Sequence, residues 1–469
     1  MIQYTATYTD LYQLSMSQVY FETGRKNETA VFDYFFRKLP FNGGYAIFCG
    51  LETLLDIVGT LHFDNDDIGF LRNNGFSEPF LKYLKTFRFT GHIDSSSEGD
   101  LVFPTRPVLQ VEAPLIEAQI LETILLNILN YQTLIATKAS RMQQVSGSAK
   151  LIDFGLRRAQ GPAGYYGARA AVIGGFAATS NVRAARDFDL HASGTMAHSF
   201  IQTYDREIDA FRDFARHRPD DCVLLVDTYN TLKSGVPNAI IVAQEMEKRG
   251  QQLTGIRLDS GDLAYLAKET RKMLDDAGLD YVKIAASNQL DEKVIKSLRE
   301  QQAPIDLYGV GTSLITGSPD AALDGVYKLS EHNGQPGIKL SESIQKITIP
   351  GKKQVFRLED DKGEWIGADV IAMRDEVDIE KMYAPFDPLK SLSINKCHKQ
   401  PLLTRVMENG DRTGSGRTVA EIALFTRKQL KKLPDEYKRF DNPHIYKIGL
   451  SEALHALRNQ LIQEHKKVE

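Results

Sequence analysis

The sequence predicts an α/β protein: a parallel sheet covered by helices, either a barrel or a doubly wound sheet, beside a separate α+β unit. Through the middle of the chain, short β-type runs alternate with amphipathic stretches, the rhythm of repeated β–α units. Before and after that region the rhythm is lost, and strands cluster around Gly- and Pro-containing turns. At 469 residues the chain has room for two or three domains.

Taken in order, "ETAVFDYFFRKL" reads as a strand rich in aromatic and β-branched residues, and "FNGGYAIFCG" as a turn leading into another. "GDLVFPTRPVLQVEAP" gives two short strands broken by Pro104 and Pro107. A long helix follows in "PLIEAQILETILLNILNYQTLIATKASRM", with Pro114 at its first turn and Glu117 near the end that favours negative charge. Residues 1–135 therefore read as an α+β unit.

In the middle, "AKLIDFG", "AAVIGGF", "CVLLVD", "LTGIRLD", "DYVKIAAS" and "IDLYGVGT" are predicted strands. "VPNAIIVAQEMEKRG", "DLAYLAKETRKMLDDAG" and "LDEKVIKSLREQQ" are predicted helices, the first two closed by Gly250 and Gly278. Apolar spacing from Phe200 to Ala215 predicts one amphipathic helix with His198 near its first turn. Strands joined by glycine turns come next. After residue 415 the chain reads as mostly charged helix with its lysines on a solvated face.

Composition narrows the function classes. With 42% hydrophobic and 25% charged residues and a net charge of −4, the chain reads as an ordinary globular protein. That balance argues against a general nucleic-acid or membrane-surface binder, so any phosphorylated ligand must be met by locally gathered positive charge. Cys49, Cys222 and Cys397 are far apart and form neither a metal spacing nor a disulfide framework, which points to a reducing compartment. "MIQYTATYTDLYQ" lacks the features of a signal peptide, and no apolar run approaches membrane-spanning length. A cytoplasmic location is the expectation.

The chemistry collects where the middle strands end. "LIDF" runs into Gly155 and Arg157, "VIGGF" into Thr179, Ser180 and Asn181, and a short segment before the Phe200 helix into Thr195 and His198. "VLLV" meets Asp227, Tyr229 and Asn230; "TGI" meets Arg257, Asp259, Ser260 and Asp262. "VKIAA" ends at Ser287 and Asn288, and "DLYGV" at Gly309, Gly311 and Thr312. Any one such cluster is ordinary helix-cap or turn chemistry. In a parallel barrel, however, all strand C-termini open on one mouth, where such barrels keep their active sites.

The residue types point to anionic, phosphorylated substrates. Arg157 and Arg257 suit a carboxylate or phosphate. Asp227, Asp259 and Asp262 are hard oxygen ligands of the kind that share a magnesium ion with substrate phosphates. "GVGTSL" offers backbone N–H groups and hydroxyls to a phosphate.

"TDLYQLSM", "LIDFGLRR", "GGFAATSNV", "GTMAHS", "LLVDTYNT", "IRLDSGDL" and "GVGTSL", in that order, resemble the nicotinate phosphoribosyltransferase family. The likeness runs from about residue 7 to "KLSE" and "TIPGKKQV". It implies an irregular TIM-like α/β barrel over residues 136–339. Beside it would lie an α+β domain in which strands of 340–415 return to residues 1–135, with a C-terminal helical segment at 416–469. It also implies a homodimer with active sites at the subunit interface. The implied reaction joins nicotinate to 5-phosphoribosyl 1-diphosphate, giving nicotinate mononucleotide and pyrophosphate in NAD salvage. ATP would serve as co-substrate through a phosphohistidine at His198.

Carried over by motif, Arg257 and Thr195 contact nicotinate, and Phe154 and Arg157 frame its ring. Tyr12, with Asp10, arrives from the neighbouring subunit. Gly309, Gly311 and Thr312 hold the ribose 5-phosphate, while Asp227 and Asp259 face the ribose, the magnesium-diphosphate, or both. Mg2+ is held mainly through the diphosphate, with Asp259 as the candidate protein ligand. Ser180 falls where nicotinamide-preferring relatives carry an aspartate; a carboxylate there would repel nicotinate. The alternatives are a nicotinamide phosphoribosyltransferase and a non-catalytic nucleotide-sensing barrel, the second having no need of the whole catalytic set. A quinolinate enzyme would call for more basic residues and no His198.

Overall fold

A computed structural model describes residues 4–343, 346–387 and 389–466. The chain divides into two compact units, one formed by residues up to Leu134 together with those from Ala322 onward, the other by Ile135–Ala321.

The second unit is built on six parallel strands: Lys150–Asp153, Ala178–Thr179, Val223–Leu225, Gly255–Leu258, Lys283–Ser287 and Leu307–Val310. The first of these lies between the second and the sixth, and the fifth, fourth and third follow in turn. A single parallel bridge from Thr179 to Ala192 extends the other edge. The strands therefore run in chain order with the first beside the last. A barrel has that pairing; a doubly wound sheet does not. Among the described residues no ladder joins Ala192 to Val223, and that seam makes the ring irregular.

Helices Val236–Glu247, Leu263–Asp276 and Glu292–Glu300 connect successive strands. The last two begin at aspartate caps: the Asp262 carboxylate accepts from the Ala264 and Tyr265 N–H groups, and that of Asp291 from Lys293 and Val294. Asp262, a candidate oxygen ligand or helix cap by sequence, caps the helix Leu263–Asp276 through Oδ1.

Inside the ring, alternate residues of the strands face a common space, as period-two geometry requires. Several are small: Gly255, Ala285 and Gly309 help line a cavity of about 470 Å³. Most barrels fill this position with branched side chains; here it is left open.

Two predicted elements differ from the structure. "AAVIGGF", expected as a strand, is largely the end of the helix Pro162–Ile173, and the strand is displaced to Ala178–Thr179. That helix buries Tyr165, Tyr166, Ala168, Ala170, Ala171 and Ile173. A helix buried on most sides shows a continuous apolar run, which periodicity does not separate from a buried strand. The Phe200–Ala215 helix is two helices, His198–Gln202 and Glu207–His217. The break follows from Thr203, whose hydroxyl turns back to the Phe200 carbonyl at 2.7 Å, and from Arg206, which is extended (φ −129°, ψ 133°). Beyond it, buried Glu207 accepts hydrogen bonds from Ser234 and Asn238 at 2.6 and 2.9 Å, which re-aims the chain.

The first unit draws its strands from both ends of the chain. A seven-stranded sheet pairs Thr29–Phe36 with Leu109–Pro114 on one side and Gly325–His332 on the other. Residues 325–332, assigned from sequence to the barrel segment, therefore belong to this sheet. A six-stranded sheet alternates its buried residues between two faces, with Val355, Ile371 and Leu450 on one side and Leu358, Val370 and Met382 on the other. The segment after 415 is not helix alone, because Lys447–Ser451 joins this sheet parallel to Trp365–Met373. Among the described residues, no helix is long and apolar enough to cross a membrane.

Candidate active site

Eleven of the predicted site residues lie in the second unit, at or just beyond the C-terminal ends of its strands. A cavity of about 650 Å³ opens there, lined by Phe154, Arg157, Ser180, Thr195, Arg257 and Thr312 among others. It shares Phe154, Thr195, Arg257 and Gly309 with the space inside the ring. The larger groove of the first unit, about 780 Å³, contains none of the predicted residues.

Arg257 stands on the fourth strand and is mostly withdrawn from water. Its Nη1 donates to Thr195 Oγ1 at 2.6 Å and, more weakly, to the Met196 carbonyl at 3.4 Å. Nη2 lies 3.6 Å from Asp259 Oδ2, and among the described residues the buried Nε has no partner. Burial is the largest influence on the guanidinium and lowers its pKa; Asp259 and Asp227 act against it and Arg157 acts with it. A desolvated cation with spare donors is a receptor for a planar anion. The Phe154 ring lies beside it, 5.9 Å from centroid to guanidinium carbon.

Phe154 is placed by a close approach. A Cβ built on Gly309 would fall 2.3 Å from the Phe154 ring, so only glycine lets the ring lie against the sixth strand. Arg157 sits in the short turn Leu156–Arg158 and is exposed at the rim. Ser180 donates its backbone N–H to the Asp153 carbonyl at 2.8 Å. Gly311 and Thr312 open a four-residue helix, Thr312–Ile315; first-turn N–H groups have no intrahelical acceptor.

The acid–base cluster is compact. His198 Nδ1 is 3.1 Å from the Thr228 hydroxyl. Its Nε2 faces two carboxylates, Asp227 Oδ1 at 3.9 Å and Asp259 Oδ2 at 3.7 Å. Asp227 Oδ2 accepts from the Asp259 N–H at 2.7 Å and from Ser260 Oγ at 2.6 Å. Its Oδ1 is buried and has no hydrogen-bond partner among the described residues. That unsatisfied oxygen faces the imidazole at 3.9 Å, and Asp227 is the more buried of the two carboxylates beside it. Asp259 accepts from the Ser287 hydroxyl through Oδ1, and its Oδ2 lies 3.7 Å from His198 Nε2 and 3.6 Å from Arg257 Nη2.

The helix carrying His198 has only five residues. A helix that short carries little macrodipole, and the polar neighbours of His198 are side chains, those of Thr228, Asp227 and Asp259. After Ser287, Asn288 and Gln289 both take positive φ, 86° and 47°, and both line the cavity. Neither Gln289 nor Thr228 was selected from sequence. Thr228 sits inside "VDTYNT", and its position one residue after Asp227 was the available signal.

Asp10 and Tyr12 do not belong to the unit that carries this cluster. They lie in the first unit at the start of the helix Leu11–Glu22. The Asp10 carboxylate accepts from Thr123 Oγ1 at 2.9 Å, and Tyr12 is half exposed. Neither lines the cavity.

Comparison with known proteins gives consistent matches along the chain. Family models described as the N-terminal domain of nicotinate phosphoribosyltransferase, the nicotinate phosphoribosyltransferase family and its C-terminal domain match residues 7–130, 149–365 and 352–458. The nicotinate phosphoribosyltransferase of Bacillus subtilis is 44% identical, over 98% of this chain and 95% of that one. That of Caenorhabditis elegans is 34% identical, over 97% and 92%. The crystal structure of human nicotinic acid phosphoribosyltransferase superimposes with a TM-score of 0.87 at 30% identity, covering 97% of this chain and 99% of that one.

Proposed function

The chain belongs to the nicotinate phosphoribosyltransferase family, and from that membership and the geometry of the mouth we propose how its residues divide the reaction. It joins nicotinate to 5-phosphoribosyl 1-diphosphate, giving nicotinate mononucleotide and pyrophosphate, with ATP as co-substrate through a phosphohistidine. The observation that carries this reading is the under-paired, buried guanidinium of Arg257 beside the Phe154 ring, lining a cavity together with Asp259, which in turn lies 3.7 Å from His198 Nε2.

Arg257 and Thr195 receive the nicotinate carboxylate, and Phe154 and Arg157 frame the pyridine ring. Ser180 puts a neutral side chain, not a carboxylate, at its own position in that pocket, which favours the acid over nicotinamide. Backbone N–H groups of Gly309–Thr312 and the Thr312 hydroxyl hold the 5-phosphate. Asp259 lines the cavity and is a hard oxygen donor of the kind that would share a magnesium ion with diphosphate oxygens, so it is the candidate protein ligand. When bound, that ion neutralises charge on the departing diphosphate. Asp227 and Asp259 lie where positive charge builds on the ribose as the bond to diphosphate loosens. Tyr12 and Asp10 act from the neighbouring subunit of a homodimer in this reading. The chain works in the cytoplasm.

His198 takes the γ-phosphoryl group of ATP. With Nε2–H directed at Asp227 Oδ1, Nδ1 holds the lone pair, and the Thr228 hydroxyl donates to it in the resting state. The Nδ1–P bond forms as the β–γ bridging P–O bond breaks, and ADP leaves with the electron pair. Charge that develops on the ring is met by Asp227. ATP improves the yield if the phosphorylated and free forms differ in affinity for substrates and products.

A labelling experiment tests this. Incubation with Mg2+ and γ-labelled ATP is expected to give a phosphoenzyme stable to base and labile to acid, discharged by completing the substrates. Label retained on a hydroxyl side chain, or no label, would remove the phosphohistidine from the reading.

A further inference from the structure

The last residue of the first strand, Asp153, is a carboxylate that the reaction above does not use. It is fully buried, and no cation is paired with it among the described residues. Burial raises its pKa, and hydrogen bonds from Thr179 and Gly155 act against that rise. A lone buried carboxylate is costly to a fold, and an apolar residue at a strand end would be tolerated more easily. Its bonds show what it does. Oδ1 accepts the Gly155 N–H at 2.7 Å, and Oδ2 accepts the Thr179 hydroxyl, also at 2.7 Å. The Thr179 oxygen in turn accepts the Asn181 N–H at 3.0 Å.

These contacts tie two loops together. One is the turn from Phe154 through Gly155 to Arg157; the other is Thr179–Ser180–Asn181. Gly155 is pressed against the carboxylate so closely that a Cβ there would lie 2.9 Å from Oδ1 and 2.6 Å from Ile315 Cβ. The Asp153 backbone repeats the link, its carbonyl accepting the Ser180 N–H at 2.8 Å. Asn181 extends the brace, since its amide donates to the Gly164 carbonyl at 3.0 Å. On either side of this one carboxylate stand the residues that frame the ring, Phe154 and Arg157, and the residue that faces it, Ser180.

We propose that Asp153 is a positioning residue of the aromatic-acid subsite, setting the separation of the Phe154–Arg157 turn from the Ser180 loop without touching the substrate. The inference rests on the reading of that cavity as the nicotinate pocket. Held by two charge-assisted hydrogen bonds, the loops keep a fixed gap for a flat ring. Without them, the strand pairing and the Asp153 carbonyl still hold the Ser180 loop, but the side-chain tie from Gly155 to Thr179 that sets the Phe154–Arg157 turn against it is lost.

Steady-state kinetics on Asp153→Ala, Asp153→Asn and Thr179→Val test this, each substrate varied with the other saturating and thermal melting measured in parallel. Asp153→Ala is expected to raise the nicotinate KM at least tenfold while the KM for 5-phosphoribosyl 1-diphosphate moves less than twofold. Thr179→Val, which removes one of the two bonds, gives a smaller rise in the same parameter. Asp153→Asn keeps an oxygen for the Gly155 N–H and restores most of the nicotinate affinity. If Asp153→Ala does not fold, Thr179→Val and Asp153→Asn carry the comparison. The proposal is overturned if the variants lower melting temperature and kcat while the nicotinate KM stays at the wild-type value. It is equally overturned if both KM values rise together. Wild-type enzyme that makes no nicotinate mononucleotide would instead refute the functional reading beneath it.

Discussion

Arg257→Ala is expected to raise the nicotinate KM by roughly 30- to 150-fold, the loss of about 2–3 kcal/mol carried by hydrogen bonds to a charged group. The size follows from the environment. The guanidinium is mostly buried, keeps Nε without a partner among the described residues, and lies 3.6 Å from Asp259, too far for a strong pair. An arriving carboxylate completes an under-satisfied cation, and little water competes for it. Arg257→Lys should recover only part of the loss, because an ammonium group cannot present the planar fork. The same variants should change the KM for 5-phosphoribosyl 1-diphosphate far less, and should narrow the preference for nicotinate over nicotinamide. Nicotinate saturation within threefold of wild type for Arg257→Ala would remove this contact.

His198→Ala is expected to abolish the gain that ATP gives to nicotinate mononucleotide formation and to leave slow, ATP-independent synthesis. In the proposed reaction the imidazole, set between the Thr228 hydroxyl and the unsatisfied oxygen of Asp227, is the nitrogen nucleophile, and alanine supplies no phosphoryl acceptor. Asp227→Asn, which keeps the shape but removes the charge, should weaken ATP coupling more than it weakens nicotinate binding. A His198→Ala enzyme that still gained product from ATP would show that the phosphoryl group is carried elsewhere or not at all.

Much of this site was legible because parallel strands announce their ends. An apolar run of four or five residues followed by Arg, Asp or Gly marks a strand C-terminus, and the barrel gathers those termini on one side. Asp227, Arg257 and Gly309 stand out that way; the family resemblance names Phe154 and assigns the roles of all of them. The same reasoning failed where burial erased periodicity, as in the helix Pro162–Ile173. It also failed where a buried polar residue redirected the chain, as Glu207 does after His198–Gln202. The sequence leaves Asp262 open between an oxygen ligand and the cap of the following helix, and the coordinates show the cap. Asp153 and Thr228 were passed over for the opposite reason. Their contributions lie in what they hold, Gly155 with Thr179 and the His198 ring, and no spacing rule encodes a contact between separate loops. Sequence joined residues 325–332 to the barrel because strand propensity does not name a partner; their pairing with Thr29–Phe36 is set by contacts across about 300 positions.

The central claim is that this mouth selects a pyridine carboxylate and couples its ribosylation to ATP. Product formation from nicotinate and from nicotinamide, each with 5-phosphoribosyl 1-diphosphate and Mg2+, with and without ATP, tests it most directly. The predicted result is nicotinate mononucleotide in both nicotinate reactions, at higher yield with ATP, and little product from nicotinamide under either condition. Equal turnover of nicotinamide, or no nicotinate mononucleotide at all, would contradict it.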